Sequence, residues 1–200
     1  MRSIEQSHVQ HARPSGSVPG ALSLDRKAYG LHGKIGMKAT ELLKQQHRTV
    51  EALFAKIEAG DPSALQDLAS ALAAHMAIEH ELFYPAAAEV DEDIVLESFE
   101  EHSVAEYALK RALATDPDDD SFDARVTVLK ELIEHHVKEE EGELFPEIEK
   151  EIPKDELESL GEKMEKRFEQ ALKRGYSALL PQTFDQTSAD KAREAEEAAE

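Results

Sequence analysis

Four His-x-x-x-Glu pairs, set out as two copies of a two-helix unit, constrain this chain more than any other feature. His47 and Glu51 recur fifty-five positions later as His102 and Glu106, and the dipeptides Asp61-Pro62 and Asp116-Pro117 keep the same offset. His75, Glu79, Phe83 and Pro85 recur sixty-one positions later as His136, Glu140, Leu144 and Pro146, in the segments HMAIEHELFYP and HVKEEEGELFP. The six extra residues fall in the second interhelix turn. Self-similarity of this kind, with helical spacing inside each copy, reads as two helical hairpins.

The apolar pattern supplies the helices. Leu42, Leu43, Val50, Leu53, Phe54 and Ile57 recur at three- and four-residue spacing until Gly60 and Asp61-Pro62 stop the first helix. A second is expected from near Ser63 to Pro85, a third from Ile94 to Leu113, and a fourth from Phe122 to Pro146. After Pro153, Leu157, Leu160, Met164, Phe168 and Leu172 mark a fifth helix that ends at Gly175 and packs across the bundle or meets a partner. The expected fold is all-α: an up-down-up-down four-helix bundle over 37–150, an additional helix over 151–180, an extended N-terminal arm over 1–36, and a disordered acidic tail over 181–200.

Residues four apart lie on one helix face, so each His/Glu pair points in one direction, and in a bundle the four stripes converge on the core. Eight ionisable groups in an apolar interior are costly unless paired, and a pair of divalent ions offsets that cost. The expected metal ligands are therefore His47, Glu51, His75, Glu79, His102, Glu106, His136 and Glu140, with Glu51 and Glu106 divided between metal ligation and hydrogen bonding or solvent exposure. His135 and Glu139 sit one position round and read as a solvated pair. His80, five residues past His75, is expected to rotate away from the site. Tyr84 and Tyr107 read as packing residues able to offer a hydrogen bond or a ligand, and no role is expected for His8, His11 and His32.

Composition narrows the chemistry. There is no cysteine, which removes disulfides, thiolate metal sites and cysteine catalysis. Forty-three acidic residues against 23 basic ones give a formal net charge of −20, which repels phosphate backbones and anionic membranes, so neither nucleic acid nor membrane is an expected partner. No stretch approaches the ~20 apolar residues of a membrane span, and the N-terminal twenty residues lack a continuous apolar segment, so a cytoplasmic protein is expected.

Over residues 38–150 the chain resembles the hemerythrin-like, His-His-Glu cation-binding family. The carriers are LLKQQHRTVEALF, HMAIEHELFYP, EEHSVAEY and HHVKEEEGELFP. The resemblance implies two non-haem iron ions with a bridging oxo or hydroxo group: His47 and His75 on one ion, His102 and His136 on the other, and Glu79 and Glu140 bridging them. The chain departs from oxygen-carrying hemerythrins at Glu106, where those proteins place a second histidine, and at His136 and Glu140, where they space His and an Asp by five residues. Added carboxylates favour ferric iron and alter the open position needed for reversible oxygen binding.

Three functions are open at this point. One is reaction with peroxide, dioxygen or NO, or oxidation of iron, with catalase-like or ferroxidase activity in view. A second is reversible oxygen binding or sensing without turnover, passed to a protein partner by the arm or fifth helix. The third is an interaction bundle whose metals are structural.

Overall fold

The computed structural model describes residue 29 and residues 36–181. The arm expected over 1–36 and the tail over 181–200 lie outside the described residues except for Tyr29, Gly36 and Pro181. Among the described residues the secondary structure is entirely helical. Helix α1 spans Ala39–Glu58 and α2 spans Ala64–Ile78; a π-helical turn, Glu79–Phe83, joins α2 to the short α3, Tyr84–Ala87. Helix α4 spans Glu92–Leu113 and α5 spans Phe122–Glu139; a second π-helical turn, Glu140–Leu144, leads into α6, Phe145–Glu151. Helix α7, Lys154–Arg174, and the one-turn α8, Tyr176–Leu179, complete the described chain.

The hairpins pair α1 with α2 and α4 with α5, and contacts of α1 with α5 and of α2 with α4 close the four-helix bundle. Turn chemistry explains the hairpins. Gly60, at φ +93°, ends α1, and the Asp61 carboxylate accepts a hydrogen bond from the Ser63 N–H at 3.2 Å. In the second hairpin the Asp119 carboxylate accepts from the Ser121 N–H at 2.8 Å, while Asp91 caps α4 by accepting from the Ile94 N–H at 3.0 Å.

Pro85 and Pro146 do not stop their helices, contrary to the sequence expectation; the chain stays helical to Ala87 and to Glu151. A proline cannot donate to the carbonyl four residues back and clashes with it. Here each proline follows a π turn, in which the Tyr84 N–H reaches the Glu79 carbonyl and the Phe145 N–H reaches that of Glu140, both five residues back. The widened turn takes up the proline without ending the helix.

The core comes in two apolar clusters. One gathers Leu42, Leu43, Ile78, Phe83, Tyr84, Phe99, Phe145 and Ile148 with α7 residues Leu157, Met164 and Phe168. The other holds Val50, Phe54, Leu68, Leu72, Leu109, Phe122 and Leu129 near the two hairpin turns. His47, His75, His102 and His136 fall in sequence between the two sets, so a buried polar layer divides the core.

Helix α7 packs on the α1/α2 face of the bundle rather than standing free. The contact depends on Gly161, where an added Cβ would lie 2.3 Å from the Met37 carbonyl oxygen and 3.0 Å from the Ala39 nitrogen. In an open helix, Gly→Ala gains about 1 kcal/mol. Here the substitution presses on backbone, so Gly161→Ala is expected to destabilise the fold by about 1–3 kcal/mol in urea unfolding.

Candidate metal centre

Six of the eight residues expected at the site come together in the polar layer, all buried: His47, His75, Glu79, His102, His136 and Glu140. They fall into two groups whose donor atoms lie within 4.8 Å of one another, His47, His75, Glu79 and Glu140 in one, Glu79, His102 and His136 in the other. Every imidazole turns Nε2 toward a carboxylate. His75 Nε2 is 3.2 Å and His102 Nε2 3.5 Å from Glu79; His47 Nε2 is 3.3 Å and His136 Nε2 3.6 Å from Glu140. Glu79 and Glu140 thus each stand between two histidines from different helices, and the His102 and His136 Nε2 atoms are 2.9 Å apart.

The outward ring nitrogens are held just as consistently. Nδ1 of His47 meets the Glu141 carboxylate at 2.8 Å, that of His75 the Gln46 amide oxygen at 2.8 Å, that of His102 the His80 Nε2 at 2.8 Å, and that of His136 the Glu101 carboxylate at 2.7 Å. A proton on Nδ1 leaves the Nε2 lone pair free to bind a cation, and a fixed Nδ1 partner is the usual support of a metal-bound histidine. Each supporting residue is the chain neighbour of a site residue but serves a histidine on another helix. Gln46 and Glu101 precede His47 and His102; His80 and Glu141 follow Glu79 and Glu140.

His80 corrects the sequence reading, which turned it away from the site. It is buried, 3% exposed, and its ring packs on Phe99 and His102. The cause is the π turn that starts at Glu79: its extra residue changes the facing of the positions that follow. The repeat held the missing signal, because His80 and Glu141 occupy equivalent positions beside Glu79 and Glu140, as do Gln46 and Glu101 before His47 and His102.

Glu51 and Glu106 lie outside both groups. Glu51 is half exposed and pairs with Arg48. Positions four apart differ by about 40° around a helix, enough to carry Glu51 off the edge of the inward face of α1. Glu106 is buried one turn beyond His102. Tyr84 is fully buried, its hydroxyl 3.2 Å from Glu140 and 3.4 Å from His102 Nε2, whereas Tyr107 is exposed.

Burial and crowding set the charges. Burial, helped by the neighbouring imidazoles, pushes His75 and His102 well below the ordinary histidine range, so both are neutral. At His47 burial acts in the same sense but is outweighed by the Glu140 and Glu141 carboxylates, and its pKa rises. Glu79 is driven well above the carboxylate range by burial and by Glu140 beside it. Glu140 is held low despite burial by His136, His47 and the Tyr84 hydroxyl. Burial and the two carboxylates keep the Tyr84 phenol protonated.

Both oxygens of Glu79, Oε2 of Glu140 and Nε2 of His47 are buried without a hydrogen-bond partner. Orphaned acceptors facing imidazole lone pairs are what a cation satisfies and what a packed apolar core would not retain. The donor set, nitrogen and carboxylate oxygen without sulfur, suits divalent iron, manganese or zinc. Phe145 stacks on the His47 ring at 6.0 Å, and Phe83 and Phe99 complete the apolar surround. A cleft of about 520 Å³ between α1 and α5, lined in part by Val50, Phe54, Ile133, Val137 and Gly142, reaches His47.

Comparisons with known proteins bear on the fold and the family. A chain from Mycobacterium kansasii, described as a hemerythrin HHE cation binding domain-containing protein, superposes with a TM-score of 0.65 at 26% identity, covering 78% of this chain and 99% of that one. A protein of Nostoc sp. (strain PCC 7120 / SAG 25.82 / UTEX 2576) named DNA nickase is 27% identical over 131 residues, 62% of this chain and 37% of the relative. The chain therefore spans little more than a third of that relative's length. The family model for the hemerythrin HHE cation binding domain matches residues 38–148. With more than half of its length under that match and the His/Glu layer in its core, the chain belongs to the hemerythrin HHE cation-binding family.

Proposed function

We propose that the buried layer holds two metal ions, iron by preference, and reacts with a small oxygen species, with peroxide the first candidate and dioxygen, NO or oxidation of incoming iron the others. The observation that carries this is the orientation of the four histidines, with every Nε2 facing Glu79 or Glu140 and every Nδ1 held from behind. His47 and His75 would hold one ion, His102 and His136 the other, and Glu79 and Glu140 would span both. A bound pair would supply Lewis acidity and two-electron redox chemistry.

The protein's own part is positioning and exclusion. Glu141 and Glu101 accept the Nδ1 protons of His47 and His136 and so make those imidazoles stronger donors, which favours the ferric state and turnover over reversible oxygen binding. Tyr84 offers Glu140 a hydroxyl proton inside the layer. Phe83, Phe99 and Phe145 keep bulk water out, while the α1/α5 cleft admits small molecules to the edge of His47. Among the described residues no helix is long and apolar enough to cross a membrane, and with the net charge of −20 neither membrane nor nucleic acid belongs to the proposal. Reversible oxygen binding is the second reading, since the same ligands would serve it.

Reconstitution with ferrous iron under anaerobic conditions, followed by metal analysis, is expected to give two irons per chain. Peroxide added to that protein is expected to evolve gas with return of the starting optical spectrum; a stable oxygenated band lost under vacuum would favour the second reading, and less than one metal per chain would overturn both. Glu51→Ala is expected to keep two irons, whereas His102→Ala loses at least one.

Glu79 makes a separate prediction for the metal-free protein. Its folded pKa lies above the ordinary value of 4.5, so between the two values the folded state binds a proton that the unfolded state releases. That contribution to stability is present at low pH and is lost as pH rises through the folded value. Metal-free Glu79→Gln, neutral throughout, is expected to be more stable than metal-free wild type at neutral pH by about 1–3 kcal/mol. The gap should close on acidification toward 4.5, and the same variant should lose metal; equal thermal stability of the two metal-free proteins at pH 7 would contradict this account of Glu79.

A further inference from the structure

Outside the buried layer, one other cluster among the described residues has the composition of a cation site. His135 and Glu139 stand one turn apart on α5, and Glu101 reaches across from α4. His135 Nε2 is 3.4 Å from Glu139 Oε1 and 3.5 Å from Glu101 Oε1, and the three donor atoms lie within 4.8 Å of one another. Nitrogen and oxygen donors bound at about 2.0–2.2 Å to one cation stand roughly 3–3.5 Å apart at tetrahedral or octahedral angles. The two distances from His135 have that spacing, and the carboxylate oxygens lie within 4.8 Å of each other.

Glu101 ties this cluster to the core. While Oε1 faces His135, Oε2 accepts from the Nδ1 of His136, whose Nε2 belongs to the buried layer. Side-chain exposure falls along the series: 60% at His135, 31% at Glu139, 18% at Glu101 and 4% at His136. A single carboxylate therefore has one oxygen on the surface cluster and the other on a histidine of the layer. The repeat did not build this feature twice. The equivalent positions of the first hairpin are Gln46, Ala74 and Ile78, all buried and without a charge.

We propose that Glu101, His135 and Glu139 form a third, surface site for a divalent transition-metal ion, from which ions are passed to the buried pair along the α4/α5 seam. Imidazole with two carboxylates suits such an ion better than calcium or magnesium, which take oxygen ligands. The strongly negative chain raises the local concentration of cations. Capture at the surface needs no opening of the bundle, and small molecules keep a separate approach through the cleft between α1 and α5. Binding at the surface stands independently of the proposed function; delivery inward rests on it.

The test uses the metal-free full chain titrated anaerobically with Co²⁺, followed by calorimetry and by the visible absorption of the ion. The variant is His135→Asn with Glu139→Gln, which leaves Glu101 and all six residues of the layer in place. Wild type is expected to bind two ions tightly and a third more weakly. The double variant should lose the third and fill the tight positions about tenfold more slowly, the low end of the rate gain that local concentration of a charged ligand gives. Equal stoichiometry in the two proteins would overturn the surface site, and loss of the third ion with unchanged filling kinetics would overturn delivery. A wild type that binds one ion, lost in the variant, would uphold the surface site while removing the buried pair as its destination.

Discussion

Two carboxylates lie between four imidazoles at the level where an ordinary bundle would place its tightest apolar packing. Such a layer is costly to bury, and the cost is recovered only when the groups satisfy one another or a cation does so. The rest of the architecture follows from that demand. Apolar packing is displaced into two clusters, one on either side of the layer. The histidines need partners on their outer nitrogens, so polar side chains occupy positions next to the inward face of each helix. A stable fold is built around a centre that by itself works against stability.

The two π turns are the local answer to the same demand. Glu79 and Glu140 each open one, and Pro85 and Pro146 follow six residues later. A widened turn is less favourable than an α-turn, and it is retained at both equivalent positions of the repeat. It places His80 and Glu141, the residues just past the two carboxylates, behind histidines of other helices. The widened turns, the placing of His80 and Glu141 and the tolerated prolines are thus a single feature that the chain uses twice.

Much of this was legible in the residues. The bundle followed from apolar spacing and the Asp-Pro turns, and the six buried site residues followed from the His/Glu repeat. Legibility failed where geometry departs from the ideal α-helix. His80 could not be placed without knowing that a π turn intervenes, and helix continuity past the two prolines was hidden for the same reason. Glu51 shared its spacing with Glu79, yet spacing alone cannot say which of two similar positions faces inward. The partners Gln46, Glu101 and Glu141 were hidden because they act across helices, on histidines far from them in sequence. Comparing the two halves position by position would have exposed them.

Helix α7 lies across α1 and α2, and α8 continues along α2, so one side of the bundle is sealed by its own chain. On the opposite side α5 borders both the cleft that reaches His47 and the surface cluster around Glu101. Among the described residues, the cleft and the surface cluster therefore share one bordering helix, α5. A domain or protein docked against the α7 side would leave both uncovered, whereas anything resting on α5 would cover them. The molecule has a back and a front, and the asymmetry comes from the helix that lies outside the repeat.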